Sequence, residues 1–70
     1  MSKILTKREK EIFNLLVKNI NTKEISKIFN ISEKTVRNHI SNVIQKLSVN
    51  SRSSAVVELI KLQEIDIYNE

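Results

Sequence analysis

The sequence has 70 residues, twelve Lys or Arg against eight Asp or Glu, a net charge of +4, one histidine and no cysteine, glycine or proline. A chain of this length is one domain with a small core. Without cysteine it has neither a disulfide framework nor a thiolate metal site, and one histidine falls short of the three or four ligands of a zinc centre, so no metal, cofactor or small-molecule ligand is expected.

The start, MSKILTKREKEIF, lacks the uninterrupted apolar stretch of a signal peptide. No apolar run reaches the roughly 18 residues of a membrane span, so a soluble cytoplasmic protein without membrane partners is expected. Thr6-Lys7-Arg8-Glu9 reads as a capping box, in which the Thr6 hydroxyl and the Glu9 carboxylate each satisfy a free amide at a helix start. The first helix then covers residues 7–18, with Ile12, Phe13, Leu15, Leu16 and Ile20 as its buried side. Asn21-Thr22-Lys23-Glu24 repeats the box, and Ile20 can close on Ile25 as a hydrophobic staple. The second helix is short, residues 22–29, with Ile25, Ile28 and Phe29 inward.

Asn30-Ile31-Ser32 follows. Asn30 tolerates a left-handed backbone, Ile31 can plug the core and Ser32 caps a third helix over residues 33–47. Two helices joined by a turn of three or four residues make a helix-turn-helix. Ser48-Val49-Asn50-Ser51 breaks the third helix, and Ser51 or a neighbour caps a fourth over residues 52–63, with Ala55, Leu59 and Leu62 inward. Residues 66–70 are expected to fray. The fold is therefore expected to be all-α, a compact four-helix domain with a central helix-turn-helix, like a winged helix without its wing and without strands. Residues 64–70 hold three acids and no base, which leaves the body, residues 1–63, with a charge of +7. A body this basic suits a polyanionic partner.

The third helix carries the most informative pattern. Val36, Ile40, Val43, Ile44 and Leu47 form one apolar stripe of helical period. Lys34, Asn38, Ser41 and Gln45 lie opposite, flanked by Arg37 and Asn42, and none is expected to form an acid–base pair across one turn. A helix fits the DNA major groove, and the N-terminal half of the second helix of a helix-turn-helix supplies the base-reading side chains. Arg37 suits the two acceptors of guanine, Asn38 the donor–acceptor edge of adenine, and Ser41 is small enough for close approach. Lys34 and Thr35, beside the free amides of the helix start, suit phosphates, as do Thr22, Lys23 and Lys46. The competing reading of this face is a merely solvated surface.

The stretch from Leu5 to Val56 resembles the LuxR-type helix-turn-helix domain, also called the FixJ or NarL effector domain. The resemblance rests on LTKREKE at the start, KEI at Lys23, ISEKTVRNH at Ile31, KL at Lys46 and RSSAV at Arg52, in order and at fitting spacing. It implies a four-helix domain whose third helix reads double-stranded DNA and whose fourth pairs two copies. The base-reading positions then fall on Arg37, Asn38 and Ser41. Among members, the chain is most similar to stand-alone spore-coat regulators of endospore formers. That likeness implies activation or repression of late sporulation genes, RNA polymerase as a second partner, a location at the nucleoid, and control by synthesis rather than by a sensing domain. Asn19 and Ser48 stand where the family often has glycine.

His39 reads as a packed, hydrogen-bonded histidine or, alternatively, a phosphate contact, and not as a catalytic residue; Phe13 and Phe29 read as core rather than stacking platforms. Arg52 can either touch a phosphate or pair with an acid such as Glu9. On the fourth helix, Val57 and Ile60, with Lys61 and Glu64 beside them, make an outward apolar strip that suits a two-fold mate. Two rivals remain: a module like region 4 of a sigma factor, and a helical protein–protein adaptor. No cluster of titratable groups with a nucleophile converges, so an enzyme is not expected.

Overall fold

Each helix begins on a side chain that stands at the expected cap. The computed structural model describes residues 4–65, in which α1 is Lys7–Val17, α2 Thr22–Phe29, α3 Glu33–Leu47 and α4 Arg52–Lys61. No strand occurs among the described residues. At α1 the box is complete: the Glu9 amide donates to Thr6 Oγ1 at 3.1 Å and the Thr6 amide to Glu9 Oε1 at 2.9 Å. At α2 it is half made, for Asn21 Oδ1 accepts from the Glu24 amide at 2.9 Å while the Glu24 side chain stays in solvent. Ser32 and Ser51 accept from the Thr35 and Ser54 amides at 3.0 and 3.1 Å. Caps of this kind stabilise a helix by about 0.5–2 kcal/mol each.

The helices also stop without glycine. Asn19, Asn30, Ser48 and Gln63 take left-handed backbone, with φ of 68°, 55°, 57° and 60°. After each, the next amide reaches back to a carbonyl of the last turn: Ile20 to Leu15, Ile31 to Ser26, Val49 to Ile44 and Glu64 to Leu59, at 2.9–3.2 Å. This is the Schellman arrangement, in which the residue after the left-handed one closes on the helix it leaves. Ile20, Ile31 and Val49 pack against the core there, so burial of an apolar side chain holds three of the four turns.

The core is built from Ile12 and Phe13 of α1, Ile25 of α2, Val36, Ile40 and Val43 of α3, and Ala55 and Leu59 of α4. Leu15, Leu16, Phe29, Ile44 and Leu47 pack at its margin. Phe13 is fully buried, and Phe29 packs against the core with the Arg8 guanidinium 4.2 Å above its ring, so both rings serve the fold. Two inward assignments are corrected. Ile28 is 57% exposed, because the inward line of the eight-residue α2 runs through Ile25 and Phe29, four apart, and Ile28 lies off it. Leu62 is 44% exposed: α4 stops at Lys61, the left-handed Gln63 redirects the chain, and Ile65 takes the inward place at 5% exposure. Residues 66–70, expected to fray, lie outside the described residues.

Because α3 packs against each of the other three helices, its position is fixed from several sides while one face stays open. That face positions the candidate site.

Candidate nucleic-acid interface

Lys34, Arg37, Asn38, Ser41, Asn42 and Gln45 are all exposed, directly behind the buried Val36, Ile40 and Val43. The structure thus brings the three expected base readers onto one convex surface of a rigidly held helix. At the helix start, the Ser32 hydroxyl accepts from the Thr35 amide and donates to Thr35 Oγ1 at 2.9 Å. Thr35 therefore keeps its own hydroxyl proton to donate. The other first-turn amides of α3 lack partners within the helix and, with Lys34, favour an anion. Lys23 is exposed near the start of α2 and Thr22 half-buried beside it.

One expectation about charged groups needs correction, and the structure shows the surroundings of two more. Arg37 is not unpaired: its Nη1 lies 3.3 Å from Glu33 Oε1, four residues earlier on the same helix. Lys46, expected at the DNA backbone, has partners within the domain. Its ammonium donates to Glu9 Oε1 at 2.6 Å and to the Ile4 carbonyl at 3.3 Å, drawn there by a carboxylate that α1 and α3 bury between them. Arg52 consequently does not pair with Glu9; it is exposed beside an open groove of about 600 Å³ between the α1–α2 turn and the start of α4, with Asn19, Asn21 and Ser53. Burial pushes the Glu9 carboxyl up, but the Lys46 ammonium and the Thr6 amide and hydroxyl outweigh it and hold the group below its ordinary value.

His39 is half-buried at the edge of the polar face, and no hydrogen bond to its ring is formed among the described residues. On α4, Val57 is 52% exposed and Lys61 is exposed, whereas Ile60 packs partly against the core; Glu64, past the end of the helix, is half-buried. The outward apolar strip is narrower than expected, because Ile60 lies one turn beyond Val56 and both pack partly against the core. No group of three or more His, Cys, Asp or Glu among the described residues is arranged to hold a metal ion. No helix among them is long and apolar enough to cross a membrane.

Comparison with known proteins agrees with this geometry. Residues 3–59 match the family described as "Bacterial regulatory proteins, luxR family". The chain is 59% identical over 64 residues to the spore germination protein GerE of Bacillus subtilis (strain 168), an alignment covering 91% of this chain and 86% of that protein. It is 50% identical over 58 residues to the transcriptional regulatory protein DegU of Brevibacillus brevis, and 41% identical over 54 residues to the nitrate/nitrite response regulator protein NarP of Escherichia coli (strain K12). Those alignments cover 83% and 77% of this chain but only 25% of each relative, so the chain spans about a quarter of their length. The solved structure of the transcription factor GerE superposes with a TM-score of 0.92 at 57% identity, covering 94% of this chain and 98% of that one. DegU and NarP are named as regulators, and the solved GerE structure as that of a transcription factor. With its exposed third-helix face and this match over most of its length, the chain belongs to the luxR family of bacterial regulatory proteins, as a DNA-binding domain of a transcription regulator.

Proposed function

We propose that the chain binds a specific double-stranded DNA site by laying α3 in the major groove, with Arg37, Asn38 and Ser41 reading base edges. The observation that carries this reading is the exposure of those three side chains on a helix whose opposite stripe buries Val36, Ile40 and Val43. A helix held so firmly presents its polar face at little entropic cost, and each side chain has a matching base edge. Lys34 and Thr35, with Thr22 and Lys23, supply backbone contacts that fix the register. Lys46 serves the domain first, through Glu9.

Two copies bind together, α4 against α4 around Val57 and Lys61, so that two reading helices fall about one DNA turn apart on an inverted site. Bound near a promoter, the dimer activates or represses according to its position, with RNA polymerase as its second partner and the nucleoid as its place of work. The similarity to a spore germination protein over 91% of the chain supports late sporulation and spore-coat genes as the targets. The family match favours this regulator over a sigma-factor module or a protein–protein adaptor.

Selection of bound duplexes from a random pool at physiological salt, followed by sequencing, tests the reading. A short motif in two-fold repeat is expected. A single half-site discards the dimer, and binding without any motif that vanishes as salt rises discards base reading altogether.

A further inference from the structure

We infer that Glu33 is a specificity-determining residue that acts through Arg37, holding the guanidinium on the base-reading face and keeping it from settling on phosphates. The inference rests on the proposed role of α3. Glu33 is the first residue of that helix and Arg37 lies one turn on, with Nη1 3.3 Å from Oε1. An acid four residues before a base is the favoured order for such a pair. A long side chain on a helix also leans toward the N-terminus, so Arg37 reaches Glu33 in an ordinary rotamer. The contact occupies one of five guanidinium donors. An edge with two parallel N–H groups stays free for guanine O6 and N7.

The placement of the carboxylate matters as much as the pair. Glu33 sits between the Ser32 cap and Lys34, among the first-turn amides that draw phosphate. A negative charge there repels the backbone of every duplex alike. Only where Arg37 meets the two acceptors of guanine is that repulsion offset. Sequence-independent phosphate attraction supplies nearly all non-specific binding, so a group that weakens it and leaves the base contact intact raises the ratio of specific to non-specific affinity. The pair is solvent-exposed, its side chains 56% and 42% accessible, so it can rearrange when DNA arrives.

The test compares the wild type with Glu33→Gln, Arg37→Ala and the double variant, each titrated with the selected site and with random duplex over a salt series. Glu33→Gln is expected to tighten random duplex about 3–10-fold, steepen its salt dependence by about one phosphate contact, and tighten the selected site less, so that the affinity ratio falls. In the Arg37→Ala background the same change is expected to leave the ratio where it was. Equal tightening on both duplexes, or an undiminished fall in the ratio without Arg37, overturns the inference while leaving base reading by α3 intact. A wild type with equal affinity for both duplexes overturns the base-reading proposal, and this one with it.

Discussion

Lys46 Nζ lies 2.6 Å from Glu9 Oε1, the same oxygen that accepts the Thr6 amide at 2.9 Å, so one buried carboxylate both caps α1 and fastens the last turn of α3 to it. Glu9 is only 3% exposed. A carboxylate in that position needs its cation, because a buried charge left without a partner costs far more than an exposed pair contributes. Lys46→Met keeps the apolar stem and removes the ammonium. It is expected to lower the unfolding free energy by about 1–3 kcal/mol, measured by urea denaturation. Unchanged stability with weaker binding to all duplexes would instead make Lys46 a phosphate ligand.

The same pair sets an acid limb to stability. The folded-state pKa of Glu9 is lowered, so the folded protein holds the proton less tightly than the unfolded chain does. Its contribution is therefore fully present above the unfolded value, near 4.5, and is lost as pH falls through the lower folded value. Urea midpoints of the wild type and Glu9→Gln, compared from pH 7 downward, are expected to differ by a constant amount until about pH 5 and then to converge. A gap that persisted into strong acid would mean that the variant differs by packing and not by charge.

Much of this architecture is legible because the caps are local. Thr6, Asn21, Ser32 and Ser51 each sit one residue before a helix, and each bonds the amide three residues on. What lies beyond the local is harder to read. The Glu9–Lys46 pair joins residues 37 positions apart, and nothing in either neighbourhood marks it. Leu62 fits the apolar row of α4 and still points outward, since periodicity cannot say where a helix stops and Gln63 is a poor signal for a left-handed turn. The Glu33–Arg37 pair, by contrast, stands at a spacing of four in plain view. Glu33 lies one residue before Lys34, where the polar face of α3 begins, so that face taken alone does not show the partner of Arg37.

Ser48 offers a stabilising change. It adopts φ 57° to close the Schellman turn after α3, a conformation that costs a residue with a Cβ roughly 1–2 kcal/mol. Glycine returns part of that as unfolded-state entropy, about 0.5–1 kcal/mol. Ser48→Gly is thus expected to raise the unfolding free energy by about 0.5–1 kcal/mol, while Ser48→Val lowers it. Thermal unfolding of the three proteins under one condition decides this, and a destabilised glycine variant would show that the Ser48 side chain holds the turn by more than its backbone angle.

In the proposed complex, base reading and phosphate contact separate on α3 by residue. Asn38→Ala is expected to cost about 1–3 kcal/mol on the selected site and little on random duplex. Lys34→Ala should weaken both in the same proportion and reduce the salt slope by about one. Both side chains are exposed, so neither change disturbs the core. If Asn38→Ala weakened both duplexes equally, it would serve orientation and not recognition.

The proposed pairing of two copies rests on Val57. It is 52% exposed in the outer line of α4, whereas Ile60, its expected companion, is partly covered by its own domain. A strip this narrow would make a weak dimer by itself, so in the proposed complex two copies are brought together mainly by two half-sites on one duplex. Val57→Asp sets two carboxylates against each other across the two-fold axis without touching the core. It is expected to leave the monomer's stability within about 0.5 kcal/mol. Binding to a full inverted site should weaken at least tenfold, to the level of a single half-site. Sedimentation of both proteins with full-site and half-site duplexes checks this: equal full-site affinity of wild type and variant would move the dimer contact away from α4.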